Sequence, residues 1–177
     1  MKTDKKSKPA GWKPLYAAIF CAFVLFQLGF FTHNAAGETG KGGFFLVSVG
    51  VGDPDLITVR AIDTIAKSDV ILCTKEAWQQ FAAYVKEKEF LDISLAGWRT
   101  YGKECSQMED SEARTKCEND KKTRGELIVQ IRTAINAGKT VAVLGSGDLL
   151  IYGGPYRWYR EEFEDLQPRL IPGVSCF

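Results

Sequence analysis

Short apolar runs that end in glycine-rich turns constrain the fold of this chain most. Residues 44–49 and 140–144 are typical of strands buried on both faces, and each run breaks at a Gly-Asp turn, residues 50–55 and 145–148. Apolar residues recur at helical spacing between such runs, as over residues 56–67. Strands that alternate with helices predict an α/β fold: an open, mainly parallel sheet with helices on both faces.

The remaining pattern extends this alternation. Residues 69–73 and 90–95 predict further strands, and residues 77–88 and 156–166 predict helices. Residues 103–124 are densely charged with almost nothing apolar, which indicates a solvated insert. Thr123 and Glu126 then form a capping-box pattern, which predicts that a helix begins there and ends near Gly138.

The N-terminus differs in composition from the rest. Residues 1–13 form a basic tail with five lysines and one acidic residue; the remainder has eighteen basic and twenty-one acidic residues, which argues against a nucleic-acid partner. Residues 14–31 are apolar and uncharged, which predicts a hydrophobic helix that is either an uncleaved membrane anchor, the reading we favour, or a signal peptide. Residues 32–43 form a Gly-rich linker, and residues 44–177 form the domain. The lysines predict a single-pass membrane protein with its domain on the non-cytoplasmic side.

The five cysteines bear on the compartment. Cys105 and Cys117 flank the charged insert and would close a small loop by a disulfide in an oxidising compartment; two unrelated surface thiols are the alternative. The only histidine, His33, lies in the linker, and no Cys/His set has zinc spacing, so we predict no metal site.

Two Gly-Asp loops that follow apolar strands are the candidate ligand site. Ligands of open parallel sheets bind beyond the carboxyl ends of strands, and glycine lets backbone amides approach them closely. Residues 50–53 lack the third glycine of the dinucleotide fingerprint, and no phosphate-loop pattern is present, which disfavours a generic nucleotide-binding domain.

Together with a third motif, the two loops form a pattern that is specific enough to indicate a protein family. Residues 47–58 (VSVGVGDPDLIT), 144–153 (LGSGDLLIYG) and 171–175 (IPGVS) occur in the order and rough spacing of the tetrapyrrole methylases. The chain resembles the N-terminal domain of that family over residues 44–177. The resemblance implies S-adenosylmethionine as cofactor, bound in a cleft between two domains, and a tetrapyrrole substrate of the porphyrin or corrin type. The cofactor contacts that it implies match Val51, Gly52, Ser146, Gly147, Asp148, Ile151, Ser175 and Cys176.

Departures from the family pattern affect the chemistry. Ser48 stands where the family often has glycine, and Leu149 stands where proline usually follows the Gly-Asp pair. Thr74 matches a position where some members have a catalytic aspartate, and it cannot act as a carboxylate base. The family's loop lysine matches Lys103, which is our candidate catalytic residue, with a solvated surface lysine as the alternative.

Two functions follow as hypotheses. The first is a C-methyltransferase that depends on S-adenosylmethionine and is complete only with a C-terminal domain, on this chain or on a separate one. The second is a membrane-anchored, catalytically degenerate module that binds a tetrapyrrole or a partner. A homodimer is compatible with both.

Overall fold

The computed structural model describes residues 42–94, 96–151 and 153–175. The basic tail, the apolar segment 14–31, nearly all of the linker and Cys176 therefore lie outside the described residues. No helix within the described ranges is long and apolar enough to cross a membrane.

Within the described residues, five parallel strands form one sheet in the order β3-β2-β4-β1-β5. The strands are β1 Phe44–Ser48, β2 Val70–Cys73, β3 Glu89–Asp92, β4 Val141–Gly145 and β5 Arg169–Ile171. The helices are α1 Val59–Ala66, α2 Lys75–Gln80, α3 Ala82–Val85, α4 Ser111–Asn136 and α5 Arg157–Glu162. The predicted parallel α/β architecture is confirmed for this part of the chain.

Helices cover both faces of the sheet. Successive side chains of each strand point to opposite faces, and apolar side chains on both faces pack against helices. Leu46 and Val143 face α4 and α5 in one apolar cluster, whereas Val47 and Leu144 face α1 and α3 in the other. The strands are therefore buried on both faces, which explains why they read as continuous apolar runs.

The predicted helix start at Thr123 is wrong. α4 begins at Ser111, where the Asp110 carboxylate caps it by accepting the backbone N–H of Glu112 at 2.9 Å. Residues 103–124 are consequently not an insert separate from the helix, because most of them extend α4. Most of their side chains are exposed, as predicted, but Cys117 is fully buried. A disulfide joins Cys117 to Cys105, as one of the two sequence-based alternatives has it.

Two other element boundaries differ from the sequence-based prediction. The helix expected over residues 77–88 is two short helices, α2 and α3, which meet at the buried ring of Phe81. The helix expected over residues 56–67 is preceded by a 3-10 turn, Pro54–Leu56, and begins at Val59, capped by the Thr58 hydroxyl.

Candidate functional site

Three glycine-bearing motifs meet at the carboxyl ends of β4, β1 and β5, which are neighbours in the sheet. The Gly147 N–H donates to the Gly50 carbonyl at 2.7 Å, so the loops after β4 and β1 contact each other directly. The chain leaves β1 towards α1 on one face and leaves β4 towards α5 on the other. Divergence of neighbouring connections in this way is where open α/β sheets bind ligands.

The first loop is built from backbone that only glycine adopts easily. Gly50 and Gly52 have φ angles of +85° and +121°. The side-chain amide of Gln80 donates to the Gly52 carbonyl, which ties this loop to α2. Val51 at the loop tip is 45% exposed, and the residues on either side of it, Gly50 and Gly52, are each hydrogen-bonded through their carbonyls.

The second loop is a tight turn around Asp148. Its Oδ1 accepts the Leu150 N–H at 2.9 Å, and its carbonyl accepts the Ile151 N–H at 3.0 Å. These bonds give Asp148 a structural role as a turn former and leave Ile151 59% exposed. Gly147 precedes the turn with φ +71°, and the space beside its Cα is open.

The Pro-Gly turn closes tightly over the other two motifs. A Cβ on Gly173 would lie 2.6 Å from the Ser48 Cβ and 2.8 Å from the Gly147 carbonyl oxygen, so only glycine fits there. The Thr58 hydroxyl donates to the Pro172 carbonyl at 3.4 Å. Ser175, which follows this turn, is half-buried, and Cys176 lies outside the described residues.

A cleft of about 490 Å³ opens beside these loops, beyond the carboxyl ends of β2, β3 and β4. Thr74, Ser94 and Ser146 contribute hydroxyls to it, and Trp98 and Tyr156 contribute aromatic rings. Burial raises the pKa of Tyr156 to about 12, so this phenol stays protonated at neutral pH. Ser146 is the residue that this cleft shares with the Gly-Asp loops.

The edge of the cleft next to Thr74 has no free carboxylate base among the described residues. The Thr74 hydroxyl accepts the Ala77 N–H at 3.3 Å and so caps α2. Asp92, at the end of β3, is bound by Ser94 and lies 3.6 Å from the Lys75 ammonium. Burial opposes ionisation of Asp92, but the Ser94 hydrogen bonds and Lys75 outweigh it and keep the pKa of this carboxyl below its ordinary value. Asp92 is therefore a weak base.

The far wall of the cleft is held by a buried polar cluster. The Arg124 guanidinium, on α4, donates to the carbonyls of Ala96 and Gly97 at 2.9 and 2.7 Å and to the Thr100 hydroxyl at 2.9 Å. That hydroxyl also lies 3.0 Å from the carboxylate of Asp120, which is buried too. The buried carbonyls, the hydroxyl and the two charged groups of this cluster thus have hydrogen-bond partners within the protein, as burial of polar groups requires.

This wall contains candidate site residues that the sequence-based prediction did not include. Trp98 and Arg99 line the cleft, and Asp120 and Arg124 support them from α4. Asp120 and Arg124 stand four residues apart in the densely charged region, and an ion-pair spacing of that kind on a helix is the signal that could have found them.

Lys103, the candidate catalytic lysine, does not line this cleft. Its side chain is exposed, and its backbone N–H donates to the Thr100 carbonyl at 3.2 Å where the wall segment ends. Its role in catalysis stays a prediction. The structure brings Val51, Gly52, Ser146, Gly147, Asp148 and Ile151 to one edge of the sheet and leaves Lys103 apart from them.

Comparison with known proteins agrees with this arrangement. Residues 43–177 match the family described as Tetrapyrrole (Corrin/Porphyrin) Methylases. The chain is 25% identical over 139 residues to a precorrin-2 C(20)-methyltransferase of Sinorhizobium sp, with 77% of this chain and 56% of that protein covered. It is 29% identical over 135 residues to a cobalt-precorrin-4 C(11)-methyltransferase of Methanocaldococcus jannaschii, with 73% and 41% covered.

The fold is shared with a solved structure. The uroporphyrin-III-C-methyltransferase of Thermus thermophilus superposes with a TM-score of 0.50 at 16% identity, with 76% of this chain and 48% of that one covered. The chain thus spans about half the length of the relatives that it matches. Because the family match extends over most of the chain, from residue 43 to residue 177, this protein belongs to the tetrapyrrole methylases.

Proposed function

We propose that this chain supplies the cofactor-binding half of a C-methyltransferase that transfers a methyl group from S-adenosylmethionine to a tetrapyrrole. The observation that carries the proposal is the contact of three glycine-bearing motifs at the ends of β4, β1 and β5. Three relatives of the chain bear the names of tetrapyrrole C-methyltransferases, which supports the substrate class.

The residues of the loops fit such a cofactor. Val51 and Ile151 are exposed apolar side chains that suit the faces of an adenine ring. Asp148 is half-buried and has a carboxylate that suits a ribose hydroxyl, although its Oδ1 already accepts one backbone N–H. The open space beside Gly147 lets a ligand approach the backbone. We assign the cofactor to these residues together with Gly52, Ser146, Ser175 and Cys176.

The chemistry needs alignment more than acid-base catalysis from the protein. S-adenosylmethionine supplies an electrophilic methyl group when it is bound. The loops would orient that group towards the cleft, and orientation of this kind contributes about 7–11 kcal/mol to rate enhancement. We keep Lys103 as the candidate base that removes a proton from the methylated ring carbon, because Thr74 caps a helix and Asp92 is engaged by Ser94. This role requires the substrate to reach beyond the residues that line the cleft, which do not include Lys103.

The relatives are about twice as long as the matched region. We therefore expect residues outside the matched region to form part of the pocket. We propose that a second domain, on the same polypeptide or on a separate chain, covers the loops and completes the cleft. A homodimer remains part of the proposal.

Binding of S-adenosylhomocysteine, measured by calorimetry up to millimolar concentration, tests the cofactor site. We compare Gly147→Ala with Gly138→Ala, because both glycines have φ near +75° and open space beside Cα, so both variants carry similar backbone strain of about 1–2 kcal/mol. Gly138 lies at the end of α4, outside the site. We expect Gly147→Ala to weaken binding at least about tenfold and Gly138→Ala to leave it unchanged. Equal affinities, or no binding by the unaltered chain and by a form that includes a second domain, would remove the proposal.

A catalytically degenerate binding module is the second candidate, and Thr74 at the end of β2 favours it. The two functions separate in a methyl-transfer assay on a form with both domains: both bind the cofactor, but only the enzyme methylates the tetrapyrrole.

Anchoring through residues 14–31 also remains a proposal. Alkaline extraction of membranes from cells that express the full chain should leave it in the membrane fraction, and deletion of residues 14–31 should release it. A reporter fused to the C-terminus should be active on the non-cytoplasmic side if the basic tail sets the topology.

A further inference from the structure

We propose that Arg99, stacked on Trp98, binds a carboxylate on the rim of the macrocycle and so selects acidic tetrapyrroles. This inference rests on the proposed function, because it assigns the substrate to the 490 Å³ cleft beside the cofactor loops. Clefts of this size are common ligand sites.

The charge of Arg99 is uncommitted. Arg132 binds Asp165 and Arg157 binds Glu161, but no carboxylate of the described residues lies within ion-pair distance of Arg99. Its contact is with the Trp98 ring, whose centroid lies 4.7 Å from the guanidinium carbon. Stacking on an aromatic face restrains the guanidinium while its five donors stay available to a carboxylate.

The wall holds this pair in place before any ligand arrives. Gly97, directly before Trp98, has φ +52°, and a Cβ there would overlap the Asp120 carboxylate. Arg124 binds the Gly97 carbonyl, and the Cys105–Cys117 disulfide ties the end of the segment to α4. A preordered arginine loses little conformational entropy on binding, so more of each hydrogen bond contributes to affinity.

The rest of the cleft suits a flat ring with acidic side chains. Tyr156 offers an aromatic surface, and Thr74 and Ser94 offer hydroxyls at the base. The other cation of the cleft, Lys116, lies 3.3 Å from the Asp120 carboxylate, which partly neutralises it. Of the two cations among the described residues that line the cleft, Arg99 is therefore the one without a carboxylate partner, and it can offer its full charge to a substrate carboxylate.

The test is a fluorescence titration of the full chain with uroporphyrin III, a stable porphyrin that carries carboxylates around its rim. Arg99→Gln removes the charge, Arg99→Lys keeps the charge but not the planar fork, and Arg60→Gln removes an exposed charge from α1 on the other face of the sheet. A porphyrin with N-methylpyridinium groups in place of the carboxylates is the matched ligand control.

We expect Arg99→Gln to raise the uroporphyrin Kd about tenfold, Arg99→Lys to raise it less, and Arg60→Gln to leave it unchanged. The cationic porphyrin should bind no more weakly to Arg99→Gln than to the unaltered chain. An unchanged uroporphyrin Kd in Arg99→Gln, or no uroporphyrin binding by the unaltered chain and by its two-domain form, would overturn the inference. S-adenosylhomocysteine binding is measured in parallel: if the unaltered chain and its two-domain form lack it, the proposed function fails, whatever the effect of Arg99 on uroporphyrin.

Discussion

The hydrogen bond between Ser48 and Leu149 gives a quantitative prediction. The Leu149 N–H donates to the Ser48 hydroxyl oxygen at 3.0 Å, and the two residues are 4% and 0% exposed. Both are departures from the family pattern that the resemblance implies, which often has glycine at position 48 and usually has proline at position 149. Proline has no N–H, so it needs no acceptor, whereas leucine at this position does. The two departures therefore depend on each other.

A double-mutant cycle of Ser48→Ala and Leu149→Pro measures this dependence. Ser48→Ala alone leaves a buried N–H without an acceptor, which costs about 1–3 kcal/mol. Leu149→Pro alone leaves the Ser48 hydroxyl without its donor. Proline fits the backbone, because Leu149 is the second residue of the turn closed by the Ile151 N–H on the Asp148 carbonyl. The double variant removes both polar groups. Ser48→Ala should therefore cost about 1–3 kcal/mol less when proline stands at position 149 than when leucine does, and this difference is the coupling energy of the cycle.

Equilibrium unfolding in urea is the assay, with free energies compared at a constant m-value. The lost packing of the Leu149 side chain is the same with either residue at position 48 and cancels in the cycle. With m near 2 kcal/mol/M, a 2 kcal/mol cost of Ser48→Ala lowers the midpoint by about 1 M. Additive single-variant effects within about 0.5 kcal/mol would refute the reasoning.

Three further outcomes are expected in the same assay. Replacing Cys105 and Cys117 together by alanine should lower the free energy of unfolding by about 3 kcal/mol, and reductant should then have no further effect. Arg124→Met should cost about 3–5 kcal/mol because it leaves the buried carbonyls of Ala96 and Gly97 without their donor and removes the positive charge beside the buried Asp120. Arg160→Met at an exposed position should change stability by less than about 0.5 kcal/mol. Stability should fall as pH rises above 9, because the Cys73 thiol ionises near 9.0 when unfolded but burial raises its folded pKa to about 12; Cys73→Ala should flatten the fall between pH 9 and 10.

The sheet and its loops could be predicted because their signals are local. Buried parallel strands are apolar along their whole length, and residues 44–49 and 140–144 end in glycines that the turns require. Proximity of the two Gly-Asp loops followed from the rule that ligands bind at the carboxyl ends of neighbouring strands, and the Gly50–Gly147 contact agrees with it. Strand order itself could not be predicted, since periodicity does not determine which strands are neighbours.

The wall of the cleft could not be predicted because its signals are tertiary. Thr123 and Glu126 have the spacing of a capping box, but the helix continues past them in the N-terminal direction. Buried contacts of Cys117 and Asp120 stabilise that extension, and a local capping pattern contains no information about them. Propensity is a weak prior when packing decides where a helix begins.

The cofactor loops depend on backbone geometry, whereas the far wall of the cleft depends on side chains. We therefore expect specificity for the substrate to reside in the far wall. The cofactor loops use backbone geometry, and Gly173 leaves no room for even a methyl group against Ser48. In the far wall, Arg124 and the disulfide position the segment that carries Trp98 and Arg99. Replacing one exposed side chain there changes the group that faces the cleft without changing the fold. Substitutions in the loops should therefore impair cofactor binding and stability together. Substitutions at Arg99 should mainly change ligand preference, because its side chain is exposed and its one described contact is with the Trp98 ring.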